Sequence, residues 1–156
     1  MKQYGILSII GILLIFAACN SARPAFEENV AIAEGMWDKD NAISVIMPVE
    51  DTLQYYNLQL YIRNRNDYPY SNLYLFVTSV APSGATVTDT VQYRLAEDNG
   101  KWIGKGSSQM WDNRFPFYSN IRFAVKGNYR FIIRHGMRNN VLPGISDVGL
   151  RLVEKE

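Results

Sequence analysis

Cysteine and histidine are almost missing from this chain: 156 residues hold one of each, Cys19 and His135. An intrachain disulfide is excluded, and so is a metal site built from several His and Cys ligands. An excess of one charge is missing too. The formal net charge is +1, and because Lys2 is the one charged residue before Cys19, removing residues 1–18 leaves 15 basic against 15 acidic side chains. With no basic run, no RNP-like signature and no Arg-rich helix, the electrostatic footprint of a nucleic-acid binder is lacking. Also absent are a G-x-S-x-G elbow, a Walker loop and a dinucleotide fingerprint. "GKWIGKG" at 100–106 lacks the strand–loop–helix setting and final Ser/Thr of a phosphate loop and reads as a turn entering a strand. No cofactor and no metal are expected.

The apolar run from Gly5 to Phe16 is short for a spanning helix, which needs about 20 apolar residues. Lys2 before it and Ala17-Ala18 behind it make residues 1–18 a signal peptide. Ordinary secretory cleavage has no use for a thiol at the first mature position, whereas lipoprotein processing requires one. Cys19 therefore reads as a lipobox cysteine, with Phe16 standing where Leu is usual. A diacylglyceryl group on the thiol and an acylated amine, at roughly 0.8 kcal/mol per buried methylene, would anchor a soluble domain to a membrane. Residues 19–28 are the expected lipidated N-terminus and tether, and 29–156 the folded domain. Asn20 rather than Asp follows the cysteine, and no acidic run comes after it. Both absences point to the outer membrane and its periplasmic face.

A mature chain of this length fits one domain that buries about two-thirds of its unfolded surface. From about Val30 the dominant period is two. In "YNLQLYIRN" Tyr56, Leu58, Leu60 and Ile62 share a face; in "TVTDTVQYRL" Val87, Val91, Tyr93 and Leu95 do, with Asp89 interrupting. Further strands are expected at 43–49, 73–80, 106–111, 117–125, 129–135 and 145–153. "LYLFV" at 73–77 is apolar on both faces, as a central strand would be. Pro82-Ser83-Gly84, Asp98-Asn99-Gly100 and Pro143-Gly144 are turn signals, the second a hairpin. A short helix is allowed at 24–33. The expected fold is all-β: a single antiparallel two-sheet β-sandwich, jelly-roll or Ig-like, with about seven to nine strands.

Catalytic material is thin. His135 aligns with Tyr129, Phe131 and Ile133 on an apolar strand face, which suits a structural histidine, and the carboxylates Asp89, Glu97, Asp98, Asp112 and Asp147 cannot be paired from spacing. A binding module competes better than an enzyme. "RNRNDYPYSN" at 63–72 gathers polar and aromatic groups in one loop, and Trp37, Trp102 and Trp111 offer platforms that suit a glycan.

Three stretches exceed generic β patterning: "LYIRNRNDYPYSNLYLF" at 60–76, "GKWIGKG" at 100–106 and "GNYRFIIRHGMRNNVLPGISDVGLRL" at 127–152. With the lipobox and the chain length, they resemble the gliding-motility lipoprotein GldH family of Bacteroidetes, from about Phe26 to Val153. The resemblance implies a non-enzymatic outer-membrane lipoprotein that acts with gliding or type IX secretion envelope proteins. Arg63, Asn64, Tyr68, Pro69, Tyr70, Ser71, Asn72, Trp102, Met137, Arg138, Asp147 and Gly149 fall in the matching stretches. From these, Arg63, Tyr68, Tyr70, Asn72, Trp102 and Arg138 are the expected partner or ligand contacts. Arg138 is also expected to meet Asp147 in an internal ion pair. A lipid-anchored glycan-binding sandwich is the alternative function.

Overall fold

The computed structural model describes residues 24–155; the signal segment, Cys19 and the first part of the tether lie outside the described residues. Eleven strands follow in chain order: β1 (Phe26–Ala31), β2 (Met36–Asp38), β3 (Ile43–Val49), β4 (Tyr56–Arg65), β5 (Asn72–Val80), β6 (Thr86–Arg94), β7 (Lys105–Ser107), β8 (Met110–Ile121), β9 (Gly127–His135), β10 (Val141–Pro143) and β11 (Ile145–Glu154). They form a five-stranded sheet β1-β11-β4-β8-β7, a four-stranded sheet β3-β9-β5-β6 and a two-stranded ribbon β10-β2, every pair antiparallel.

The period of two does what it predicts. β3 alternates buried and exposed at every residue, and Leu58, Leu60 and Ile62 of β4 are fully buried. These inward residues meet Val148, Leu150 and Leu152 of β11 and the inner faces of β3, β5 and β9 in one core. A sandwich results because each sheet has one apolar face and the two faces must cover each other.

Several local expectations change. Residues 26–31 form β1, not a helix, because their backbone pairs with β11 from Phe26↔Leu152 to Ala31↔Asp147. The first ladder thus begins inside the segment assigned to the tether. The strand expected at 106–111 is instead the β7–β8 hairpin, turning at Ser108 with φ 44°, and the one expected at 117–125 stops at Ile121 as the end of the twelve-residue β8, leaving 122–125 in a loop. The turn at 98–100 exists, but it closes a single bridge, Ala96↔Trp102, since the amides of Leu95 and Ala96 both donate to the Ser71 carbonyl. β5 is interior to its sheet as expected, yet Tyr74 and Phe76 on its outer face remain exposed.

Along one side the sheets are sealed by aromatic contacts between β6 and β8. Tyr93 stacks on Phe115 with centroids 4.4 Å apart and donates to the Pro116 carbonyl, and the Tyr118 hydroxyl donates to Asp89. Burial pushes both phenols up to about 12. Asp89, which breaks the apolar pattern of β6, is thereby accounted for as an acceptor in this seam.

The strand order gives the sandwich two distinct ends. Phe26, the 50–55 and 122–126 loops and the 81–85 turn lie at one end; the 66–71 connection, residues 136–140 and the β2/β10 ribbon lie at the other. The ten residues of β4 separate the two ends by about 33 Å.

Candidate functional site

At the end remote from Phe26, residues 70–74 and 136–139 come together. The Gly136 amide donates to the Tyr74 carbonyl and so continues the β5–β9 ladder past His135, while the Tyr74 amide points at Met137 Sδ, 3.4 Å away. The Tyr70 hydroxyl donates to Asn139 Oδ1 at 2.5 Å, tying the two walls. Between them lies a groove of about 340 Å³ lined by Tyr70, Asn72, Tyr74, Gly136, Met137 and Arg138. A Cβ on Gly136 would stand 3.0 Å from the Phe76 ring, so the missing side chain lets that ring settle beside the groove.

The groove opens onto the outer face of the four-stranded sheet. Alternation places Ile46 (β3), Arg130, Ile132 and Arg134 (β9) and Tyr74 and Phe76 (β5) there, with threonines along β6. Phe76 is 44% and Ile46 54% exposed. None of these positions is acidic, and none of Arg130, Arg134 and Arg138 pairs with a carboxylate among the described residues.

The outer face of the five-stranded sheet is the opposite case, because its charges neutralise one another. Arg63 Nε donates to Asp112 Oδ1 at 2.6 Å and its Nη1 lies 3.6 Å from Asp147; Glu27 sits 3.4 Å from Arg151 and 3.5 Å from Arg114. Tyr61 lies within this network, 4% exposed, its hydroxyl donating to Asp112 at 2.5 Å. Burial raises the Tyr61 phenol, and the Arg63 hydrogen bond holds Asp112 below the usual carboxylate range. Asp112 is therefore fixed as an ion-pair partner and is poorly suited to proton transfer.

The structure divides the six expected contact residues. Tyr70, Asn72 and Arg138 converge on the groove. Tyr68 is 4% exposed, with its hydroxyl donating to the Asn72 carbonyl, and is a support beneath the groove instead of a contact. Trp102 is half-buried against the core, 6.4 Å from the Tyr68 ring, and continues that support. Arg63 belongs to the ionic face of the other sheet. The expected Arg138–Asp147 pair is replaced by Arg63–Asp147, since register sets those two directly opposite on β4 and β11.

Of the other candidates, Trp37 is fully buried and Trp111 donates to Asn66, which leaves Tyr70 and Tyr74 as the rings at the groove. His135 is 3% exposed, Nε2 3.1 Å from the Trp37 carbonyl oxygen, and burial holds its pKa below the ordinary value. Among the described residues no group of three His, Cys, Asp or Glu could hold a metal ion. Sequence reasoning missed Tyr74, Phe76 and Arg134. The signal for Tyr74 and Phe76 is the apolar outer half of "LYLFV", which suits a central strand as well as an exposed surface, and Arg134 has no signal of its own.

Comparison with known proteins agrees with the resemblance drawn from the motifs. Residues 25–152 match the family model described as GldH lipoprotein. The chain is 32% identical to "Gliding motility lipoprotein GldH" of Flavobacterium johnsoniae, covering 100% of this chain and 99% of that one. It is 31% identical to "Gliding motility lipoprotein GldH homolog" of Christiangramia forsetii, covering 99% and 98%.

Proposed function

Because the chain belongs to the GldH lipoprotein family, a family of membrane-anchored proteins, we propose that it serves gliding motility or type IX secretion as a non-catalytic outer-membrane lipoprotein. It is held by lipid on Cys19, faces the periplasm and works by protein–protein contact. The observation that supports this reading is the asymmetry of the two sheet faces. One is closed by its own ion pairs, while the other carries exposed Ile46, Tyr74 and Phe76 beside arginines that form no ion pair among the described residues. Aromatic residues and arginine are the types enriched at protein interfaces, and an uncompensated cationic face selects an acidic partner.

The test is in-cell crosslinking of tagged protein from outer membranes, followed by mass spectrometry, with wild type beside a Tyr74→Ser/Arg134→Glu/Arg138→Glu variant. Gliding or secretion components recovered with wild type and lost with the variant are the expected result. Equal recovery from both would remove this face from the function.

Glycan binding is the second reading, favoured by Tyr70 and Tyr74 beside Asn72 and Arg138 in one groove. A glycan array bound by wild type and not by Tyr74→Ser, with no protein crosslink, would establish it.

A further inference from the structure

The end of the sandwich where β1 begins carries its own surface. Leu53, at the tip of the 50–55 loop, is 78% exposed, Tyr55 is 44% and Val125 on the neighbouring 122–126 loop is 40%. The two loops are joined by Arg122, whose guanidinium lies 5.1 Å from the centre of the Tyr55 ring. Asp51 turns its carboxylate back into its own loop, accepting from the amides of Leu53 and Gln54, and this holds the leucine outward. Lys155 donates through its backbone to the Tyr55 carbonyl, and Lys126 adjoins Val125. Aliphatic and aromatic tips with arginine and lysine among them are the composition of a surface that sits at a lipid headgroup boundary.

The geometry points to this end resting on the bilayer, with Leu53, Tyr55 and Val125 entering the interface of the membrane that holds the Cys19 lipid. The inference rests on the proposed anchor and adds an orientation to it. Chain length favours the near end. From Cys19 to Phe26 the backbone reaches at most about 25 Å when fully extended; Phe26 pairs with Leu152 and so lies level with Leu58, two residues from the near end of β4 and seven, about 23 Å, from Arg65 at the remote end. The near end meets the bilayer with a slack tether, whereas the groove end would need the tether stretched almost to its limit at a cost in chain entropy, so the groove end faces away. Of the surfaces the tether does allow, the near end has the exposed apolar tips, and the four-stranded sheet face stays free for a partner.

The test uses full-length acylated protein in phosphatidylethanolamine–phosphatidylglycerol vesicles. With Cys19 acylated, an introduced cysteine is the one thiol open to an environment-sensitive fluorophore, placed at Leu53→Cys, Phe76→Cys or Val141→Cys. The Leu53 probe should shift to the blue and be quenched several-fold more by nitroxide lipids than the probes at Phe76 and Val141. Bound protein whose Leu53 probe stays as wet as that at Val141, or whose Phe76 probe is the most quenched, overturns the orientation alone. Protein that lacks the acyl mass and fails to sediment with vesicles overturns the anchor, and the orientation with it.

Discussion

His135 stands edge-on to Trp37, ring centroids 5.3 Å apart, and the two residues fasten the β2/β10 ribbon to the end of β9. Trp37 is fully buried and its indole donates to the Asn41 carbonyl at 3.0 Å. The imidazole is neutral here because burial disfavours its charged form.

A pH dependence follows from that neutrality. The folded pKa lies below the unfolded value of about 6.5, so on acidification the unfolded chain takes up the proton first. The stability His135 contributes is complete above about pH 6.5 and is lost as pH falls through the folded pKa. Denaturant titrations at neutral and mildly acidic pH should show a decline in wild type that is smaller in His135→Gln. Equal slopes in the two proteins would contradict the assignment.

Arg63 joins two carboxylates that lie 35 residues apart in the chain, Asp112 and Asp147. The pairs are partly exposed, so Arg63→Ala should cost about 1 kcal/mol. Asp112 has its folded pKa depressed, chiefly by the Arg63 hydrogen bond, so its contribution is present above about pH 4 and disappears as pH falls further. Acid titration of stability in Arg63→Ala should therefore show a shallower fall below pH 4 than in wild type.

Two glycines with the same backbone angle should respond differently to alanine. Gly144 and Gly84 both have φ near 86°, but a Cβ on Gly144 would lie 2.5 Å from Tyr68 Cα, while one on Gly84 meets nothing within 4 Å. Gly84→Ala should cost about 1 kcal/mol from the backbone alone, and Gly144→Ala about 2 kcal/mol more from the clash beneath the groove. Urea midpoints of the two variants give the difference directly.

Arg138 is exposed at the groove and pairs with no described carboxylate. Arg138→Glu should leave stability within about 0.5 kcal/mol of wild type while abolishing partner crosslinks. A marked fall in melting temperature would mean that Arg138 supports the fold and is not a contact.

What was legible in the sequence was what depends on neighbours along the chain. Alternation in 43–49 and 56–65 marked the strands because a side chain points the opposite way every residue, and Pro82-Ser83-Gly84 marked a turn because its backbone angles suit those residues. Motif order was equally local, which is why the family could be read from it. Burial beyond the strand pair was not: Tyr61, placed outward by alternation, is covered by an ionic network drawn from β1, β4, β8 and β11.

Sequence by itself therefore determined the all-β class and the family. Only the tertiary structure decided that Tyr70 meets Asn139, that Asp147 belongs to Arg63 instead of Arg138, and that Tyr68 lies beneath the groove and not in it. The reason is physical. Strand register joins residues tens of positions apart through the packing of a whole core, and no short stretch of chain carries that information.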